Sequence, residues 1–281
     1  MVETQSGADR FTHLRPDSQT TSFENLSPKI GLVWNVADGR SIYGSYRHSF
    51  RAPSIGRLYR SGSSTNTDEL DPIKTDSFEI GTRGQLYGAS YDLALYHMII
   101  KDDIVSFIDQ VSSDRKVTNA GETRHQGIEL SFKKRFHPEW VGHLSASYSR
   151  QTYEDFVALV GFPSTSINYA GNDVPRAPKT LASASLRHEP LAWFGSYVEL
   201  EFNHLGRYFT DETNTQSYGG HTISNLVVGV PVSRGLEMYG RITNLTDRVY
   251  STYTSNQVGD PDVSYRPGSP RALFVGLRYE F

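Results

Sequence analysis

Arginine and tyrosine keep company in the polar stretches of this sequence. Arg57, Tyr59 and Arg60 fall together, as do Tyr169 and Arg176, Tyr208 and Tyr218, and Tyr253, Tyr265 and Arg266. A guanidinium grips carboxylate or phosphate with a planar fork, and a phenol stacks on or hydrogen-bonds to catecholate-like groups. These residues are the candidate ligand contacts. The competing reading is an interfacial belt of tyrosines at strand ends. A second set comprises Glu79, Arg83, Glu129, Lys133, Glu199, Glu201, Glu237, Arg241, Arg278 and Glu280. These charges are expected on one polar surface, where opposite charges on neighbouring strands are worth about 0.2–1 kcal/mol each.

Covalent chemistry has little to work with. There is no G-x-S-x-G, H-E-x-x-H, P-loop or G-x-G-x-x-G pattern. The nine His are scattered without metal-ligand spacing, and no Cys offers a thiolate or disulfide. No catalytic residue, cofactor site or metal site is expected, so the chain does not read as an enzyme. With 28 Lys+Arg against 31 Asp+Glu the formal charge is −3, and no basic surface asks for nucleic acid.

The elements that must position these side chains alternate with period 2. In Tyr197–Asn203, Val198, Leu200 and Phe202 oppose Glu199, Glu201 and Asn203. Ile128, Leu130 and Phe132 oppose Glu129, Ser131 and Lys133; Phe78 and Ile80 oppose Ser77, Glu79, Gly81 and Arg83. Leu273, Val275, Leu277, Tyr279 and Phe281 oppose Arg278 and Glu280. The pattern predicts about eleven strands, near 28–37, 40–50, 75–87, 89–107, 115–136, 140–155, 180–189, 193–210, 221–232, 236–249 and 271–281. Short turns (38–39, 87–88, 137–139, 189–190, 233–235) alternate with long Gly/Pro/Ser/Asn-rich connections. A soluble β-sandwich also alternates, but with shorter strands and less asymmetric turns. Long strands with such turns describe a transmembrane antiparallel β-barrel, closed because lipid leaves no unpaired amide satisfied. That wall needs apolar side chains only at alternate positions, which suits a hydrophobic fraction of 37% with 17 Tyr. No apolar run approaches the roughly 18 residues of a membrane helix, and Met1–His13 does not read as a signal peptide.

Phe50-Arg51-Ala52-Pro53-Ser54 after a strand resembles the TonB-dependent outer-membrane receptors. So do Leu70-Asp71-Pro72, Phe78-Glu79-Ile80-Gly81, Asn119-Ala120-Gly121 with Gly127-Ile128-Glu129, and Gly171-Asn172 with Val174–Lys179. Asn244-Leu245-Thr246-Asp247 with Tyr250 continues the series. Gly276, Tyr279 and Phe281 are similar to the barrel-assembly signal, an aromatic-terminated last strand. Ile73 and Val275 depart from the usual glutamate and polar residue.

The resemblance implies a barrel of about 22 strands plugged by an N-terminal domain. It further implies uptake of a scarce ligand, such as a ferric siderophore, driven by TonB through that plug. The implied partners are outer-membrane lipid, the missing plug, TonB, the assembly machinery and an iron-siderophore ligand, in the outer membrane of a Gram-negative bacterium. No TonB box is visible. Counting strands back from an inward-running last strand starts the chain outside. The expectation is therefore a partial barrel: 27–281 as the C-terminal part, and 1–26 as an extracellular loop remnant or disordered segment. A passive porin-like or structural barrel, or a non-functional truncated remnant, are the alternatives.

Overall fold

The structure, a computed structural model, describes residues 21–58, 70–108, 115–160, 165–255 and 263–280. In chain order the described elements are β1 Lys29–Ala37, β2 Arg40–Arg51, one helical turn α1 Ile55–Leu58, β3 Ile73–Leu86, β4 Ala89–Ile108, β5 Arg115–His137, β6 Trp140–Asp155, β7 Val157–Val160 and β8 Thr165–Asn168. They continue with β9 Thr180–His188, a 3₁₀ turn Leu191–Trp193, β10 Tyr197–Leu205, β11 Tyr208–Phe209, β12 Ser217–Tyr218, β13 His221–Ser233, β14 Leu236–Thr243, β15 Ser251–Ser255, β16 Ser264–Pro267 and β17 Ala272–Tyr279. Eleven strands form one sheet in the order β1-β2-β3-β4-β5-β6-β9-β10-β13-β14-β17. Every neighbouring pair is antiparallel. The remaining strands make three two-stranded ribbons, β7–β8, β11–β12 and β15–β16.

Tight turns sit at one end of the sheet. Tyr87 and Gly88 both have positive φ (49° and 73°), the geometry of a two-residue hairpin whose twist matches its strands. All three ribbons belong to the connections at the other end.

Register sorts the side chains onto two faces. Ile80, Leu95, Ile128 and Tyr148 stand opposite one another across β3–β6. Three residues along, and so on the opposite face, Arg83, Asp92, Ser131, Ser145, Ser183 and Asn203 form a polar row from β3 to β10. The sheet curls toward that polar row: one hollow of about 840 Å³ is lined from Tyr43 on β2 to His221 on β13. The convex face carries exposed Leu32, Ile80, Leu95, Leu273, Val275 and Leu277. Toward the long-loop end it turns polar, where Asp76 accepts a hydrogen bond from Tyr46 Oη (2.8 Å) and pairs with His48 Nδ1 (2.9 Å).

Four tyrosines on the concave face lie across a directly opposed glycine: Tyr43 over Gly81, Tyr96 over Gly127, Tyr197 over Gly229 and Tyr239 over Gly276. A Cβ on any of these glycines would come within 3.0 Å of the ring. The missing side chain is what lets each ring fold flat against the wall.

Among the described residues, buried apolar groups cluster at the long-loop end, where wall strands meet the loops. Leu58, Leu70, Ile73 and Ile104 form one cluster, with Phe23, Ile100 and Val117 against it; Tyr153, Phe156, Ala158 and Tyr169 form another, with Ile167 and Val174.

Two predicted strands are shorter than expected. The one predicted over 193–210 runs only from Tyr197 to Leu205, because the 3₁₀ turn leads into Phe194 and Gly195 at positive φ (50° and 92°). The one predicted over 236–249 stops at Thr243, because Asn244 and Asp247 adopt positive φ (49° and 51°) and turn the chain aside.

Candidate ligand-binding surface on the long loops

The ribbons bring distant arginines and tyrosines together. Arg176 N–H donates to Phe209 O (2.7 Å), tying the 169–179 loop to β11. Tyr208 pairs with Tyr218 across β11–β12, and their rings lie 5.4 Å apart. Tyr253 pairs with Arg266, and Thr254 with Tyr265, across β15–β16. Tyr218 joins the two ribbons: its hydroxyl accepts from Ser251 N–H (3.1 Å) and shares a hydrogen bond with His221 Nδ1 (2.9 Å). Thr254 Oγ1 donates to Tyr208 Oη (3.0 Å).

Tyr253 stands between two guanidiniums. Arg176 donates to its hydroxyl (3.3 Å) and lies 5.8 Å from its ring centre, and Arg266 lies 5.7 Å from that centre. Arg176, Tyr253, Tyr265 and Arg266 are exposed. Cation–π contact orders this group while leaving fork donors free for an anion. Tyr208 and Tyr218, by contrast, spend their hydroxyls fastening the ribbons. Tyr169 is set apart, 6% exposed in the second apolar cluster. Burial, aided by Glu212 and Asp211, pushes its phenol up. The Arg57 backbone lies in α1; Tyr59, Arg60 and Phe281 fall outside the described residues.

Residues outside the candidate contact set hold these loops. Asn214 Nδ2 donates to Asp173 O (2.8 Å), and its Oδ1 accepts Asp173 N–H (2.7 Å). Asp173 in turn pairs with Lys179 (2.7 Å) and Arg150 (3.4 Å). Burial alone would raise Asp211, but donors from Thr213, Gln216 and Thr215 outweigh it and hold its carboxyl below the ordinary range. Its neighbour Glu212 is pushed up by burial, against the pull of Arg176. Asn119 latches the segment before β3: its Oδ1 accepts Asp71 N–H (2.9 Å), and its Nδ2 donates to Asp71 O (3.0 Å) and Asp102 O (2.6 Å). Asn244, 2% exposed, donates to Arg248 O (2.9 Å) and Ser269 O (3.2 Å) and accepts Arg248 N–H (2.8 Å). The signal for Asn119 and Asn244 lies in the Asn-Ala-Gly and Asn-Leu-Thr-Asp motifs; the Asp211–Gln216 run carries only the composition of a long polar connection.

Below the loops, the concave wall pairs its charges. Glu201 accepts from Arg241 (2.5 Å) and Asn225 (3.1 Å). Glu237 accepts from Tyr197 Oη (3.2 Å) and lies 3.7 Å from Arg278. Arg187 stacks over Tyr197 (3.5 Å) and reaches Glu199 at 4.0 Å, while Arg47 meets Glu79 at 3.7 Å. The predicted polar surface thus carries paired charges in separate small groups from β2 to β17. Arg83 lies over Tyr43, and Glu129 and Lys133 line hollows on the same face.

A curled antiparallel sheet, polar within and apolar without, matches a known family. The family model described as "TonB dependent receptor-like, beta-barrel" covers residues 3–245. The chain belongs to the TonB-dependent receptor family. Such receptors are outer-membrane β-barrels. Among solved structures, the ferric yersiniabactin uptake receptor FyuA from Yersinia pestis is 20% identical with a TM-score of 0.68, over 90% of this chain and 37% of that one. The siderophore receptor PiuA from Acinetobacter baumannii is 18% identical with a TM-score of 0.70, over 89% and 35%. The copper transporter OprC is 17% identical with a TM-score of 0.72, over 91% and 40%. At these identities the likeness establishes the fold, and the chain spans between a third and two fifths of each receptor. β17 continues the TonB-dependent barrel sheet beyond the matched residues, with Gly276 under Tyr239 and Tyr279 exposed beside the last turn.

Proposed function

We propose that this chain is the C-terminal part of the barrel of an outer-membrane receptor that takes up an anionic, oxygen-rich iron chelate with energy from the TonB system. Under this reading the convex face meets lipid, the concave charges face an N-terminal plug, and the ribbons face the medium. TonB acts through the plug, and the assembly machinery reads the last strand through Gly276, Tyr279 and Phe281. Arg57, Tyr59 and Arg60 stay candidate contacts in addition to the exposed group, while Tyr169, Tyr208 and Tyr218 serve the loops that carry it. The observation that carries the proposal is Tyr253 held between Arg176 and Arg266 on the exposed loops. The fold cannot choose the cargo, since OprC is named a copper transporter. The loop chemistry favours an anion with aromatic or carboxylate oxygens over a bare cation.

The test is uptake of radio-iron presented as catecholate, hydroxamate or citrate chelates by cells whose source of this barrel is intact, deleted, or carries Arg266→Ala with Tyr253→Ala. One chelate should show saturable uptake that collapses with the proton-motive force. The double variant should weaken its binding at least about tenfold, a loss near 1.4 kcal/mol, while surface levels hold. Non-saturable, energy-independent uptake points instead to a passive barrel. Unchanged binding in the double variant removes the proposed contact group.

A further inference from the structure

One turn at the short-turn end is built differently from its neighbours. Where β1–β2, β3–β4 and β13–β14 close in two residues, the β9–β10 connection runs from Glu189 to Ser196 and contains the 3₁₀ turn. Trp193 N–H donates to Pro190 O (2.9 Å) and Ser196 N–H to Trp193 O (2.9 Å), so the bend is ordered by its own backbone. Glu139, in the adjacent β5–β6 turn, accepts Leu191 N–H through Oε1 (2.9 Å), and Glu189 N–H donates to Glu139 O (2.7 Å). Arg135 closes the seam with bonds to Pro138 O (2.6 Å) and Glu189 Oε2 (2.9 Å).

What this scaffold presents is apolar. Phe194 is 91% exposed and Leu191 77%, with Trp193 half exposed. Phe194 holds φ at 50°, a conformation unfavourable for a bulky residue, in order to stand clear of the sheet. The direction is set by His188, which stacks on Trp140 (4.1 Å, 11°) and lies 5.9 Å from Trp193. Trp140, His188 and Val198 stand opposite one another on the convex face, one step beyond Leu186 and Leu200. Phe136 is exposed on the same side. The patch is therefore the continuation of the convex apolar rows, bordered by Arg135, Glu139 and Glu189.

We propose that segment 190–194 is an interfacial foot that seats Leu191, Trp193 and Phe194 among the phospholipid headgroups of the inner leaflet. Aromatic rings with an apolar body prefer that zone. Continuity with the lipid-facing rows, and the lateral stack through His188, favour lipid over a protein lying beneath the barrel. The foot fixes the height and tilt of the wall at β9–β10 with three apolar side chains, where the β3–β4 turn offers Tyr87 and Leu86.

The inference rests on the membrane reading above, and the experiment separates the two. This stretch has no cysteine, so, with any cysteine elsewhere in the receptor changed to serine, single nitroxides are placed by Phe194→Cys, Asp38→Cys and Leu277→Cys. The labelled receptor is studied in phosphatidylethanolamine/phosphatidylglycerol vesicles and in native outer-membrane vesicles. The ratio of relaxation by oxygen to relaxation by a water-soluble nickel chelate should be severalfold higher at 194 than at the two-residue turn at 38, and lower than at 277. A ratio at 194 equal to that at 38, with 277 lipid-like, overturns the foot and leaves the barrel reading standing. Water-like ratios at both 194 and 277 overturn both. Screening of 194 from both reagents in native membranes alone indicates a protein partner and overturns the lipid assignment. Leu191→Cys serves as a second probe should the Phe194 variant misassemble.

Discussion

Replacing Asn244 tests whether one buried amide holds the exposed Arg–Tyr group in place. Its side chain makes three hydrogen bonds, two donated to Arg248 O and Ser269 O and one accepted from Arg248 N–H. Asn244→Ala deletes all three and leaves their backbone partners without them, at about 1–3 kcal/mol for the unsatisfied groups. The residue also has φ near 49°, which Asn tolerates and Ala does not, adding roughly 1 kcal/mol. A total of about 2–4 kcal/mol corresponds to roughly 30- to 1,000-fold more frequent opening of the 244–271 connection. Asn244→Gly isolates the terms, because it relieves the backbone while losing the same three bonds. Amide exchange at Arg248, Gly268 and Arg271 should accelerate in the order Asn, Gly, Ala, with ligand binding weakened in the same order. β13 and β14 should keep their protection, since Val227–Arg241 and their neighbours pair independently of the loop. Unchanged exchange at Arg248 in the Ala variant would refute the reasoning, because that amide donates directly to the deleted oxygen.

Gly276→Val places carbon where the Tyr239 ring now lies, so the ring must swing into the hollow. A loss of about 1–3 kcal/mol is expected, read as a lower temperature for the gel shift on heating, with Tyr239→Ala restoring part of it. Glu201→Ala removes the carboxylate that Arg241 and Asn225 share. With Arg241 41% exposed, water screens the remaining charge and the loss should stay near 1 kcal/mol; Glu201→Leu should not improve membrane insertion, as it would at a lipid-facing position. Asp211 is held below its ordinary range when folded, so its contribution is present above the unfolded value near 4 and disappears as pH falls through the folded value. Protease cleavage within 205–221 should rise on acidification below about pH 4, and Asp211→Asn should flatten that dependence. Glu212, raised by burial, has the opposite sign and favours the loop at low pH.

The wall was legible because a sheet with one apolar and one polar face alternates with period 2. Val198, Leu200 and Phe202 against Glu199 and Glu201 needed no tertiary knowledge, and β10 carries them as read. Strand ends were legible only where punctuation was strong. Asn244 ends β14 by a left-handed backbone whose stability comes from Ser269 and Arg248. No period-2 count over 236–249 can see a partner 25 residues away.

The loop site stands one level further from the sequence. Arg176 and Tyr253 are 77 positions apart, and Tyr208 meets Thr254 across 46. Residue type marked them as able to bind; only the β11–β12 and β15–β16 pairings decide which tyrosines keep a free face. The same logic moved Tyr169 into an apolar cluster, since Tyr153 and Phe156 on the neighbouring strand end cover it. Each Tyr–Gly pair of the wall makes the point in miniature. Gly81, Gly127, Gly229 and Gly276 lie 38, 31, 32 and 37 positions beyond Tyr43, Tyr96, Tyr197 and Tyr239. No fixed spacing in the sequence announces them, yet in each case the antiparallel register that gathers the apolar side chains on one face is sufficient to bring ring and glycine together. Local pattern therefore determines the faces, the faces determine the register, and the register, not the residue list, determines which side chains are left to meet a ligand.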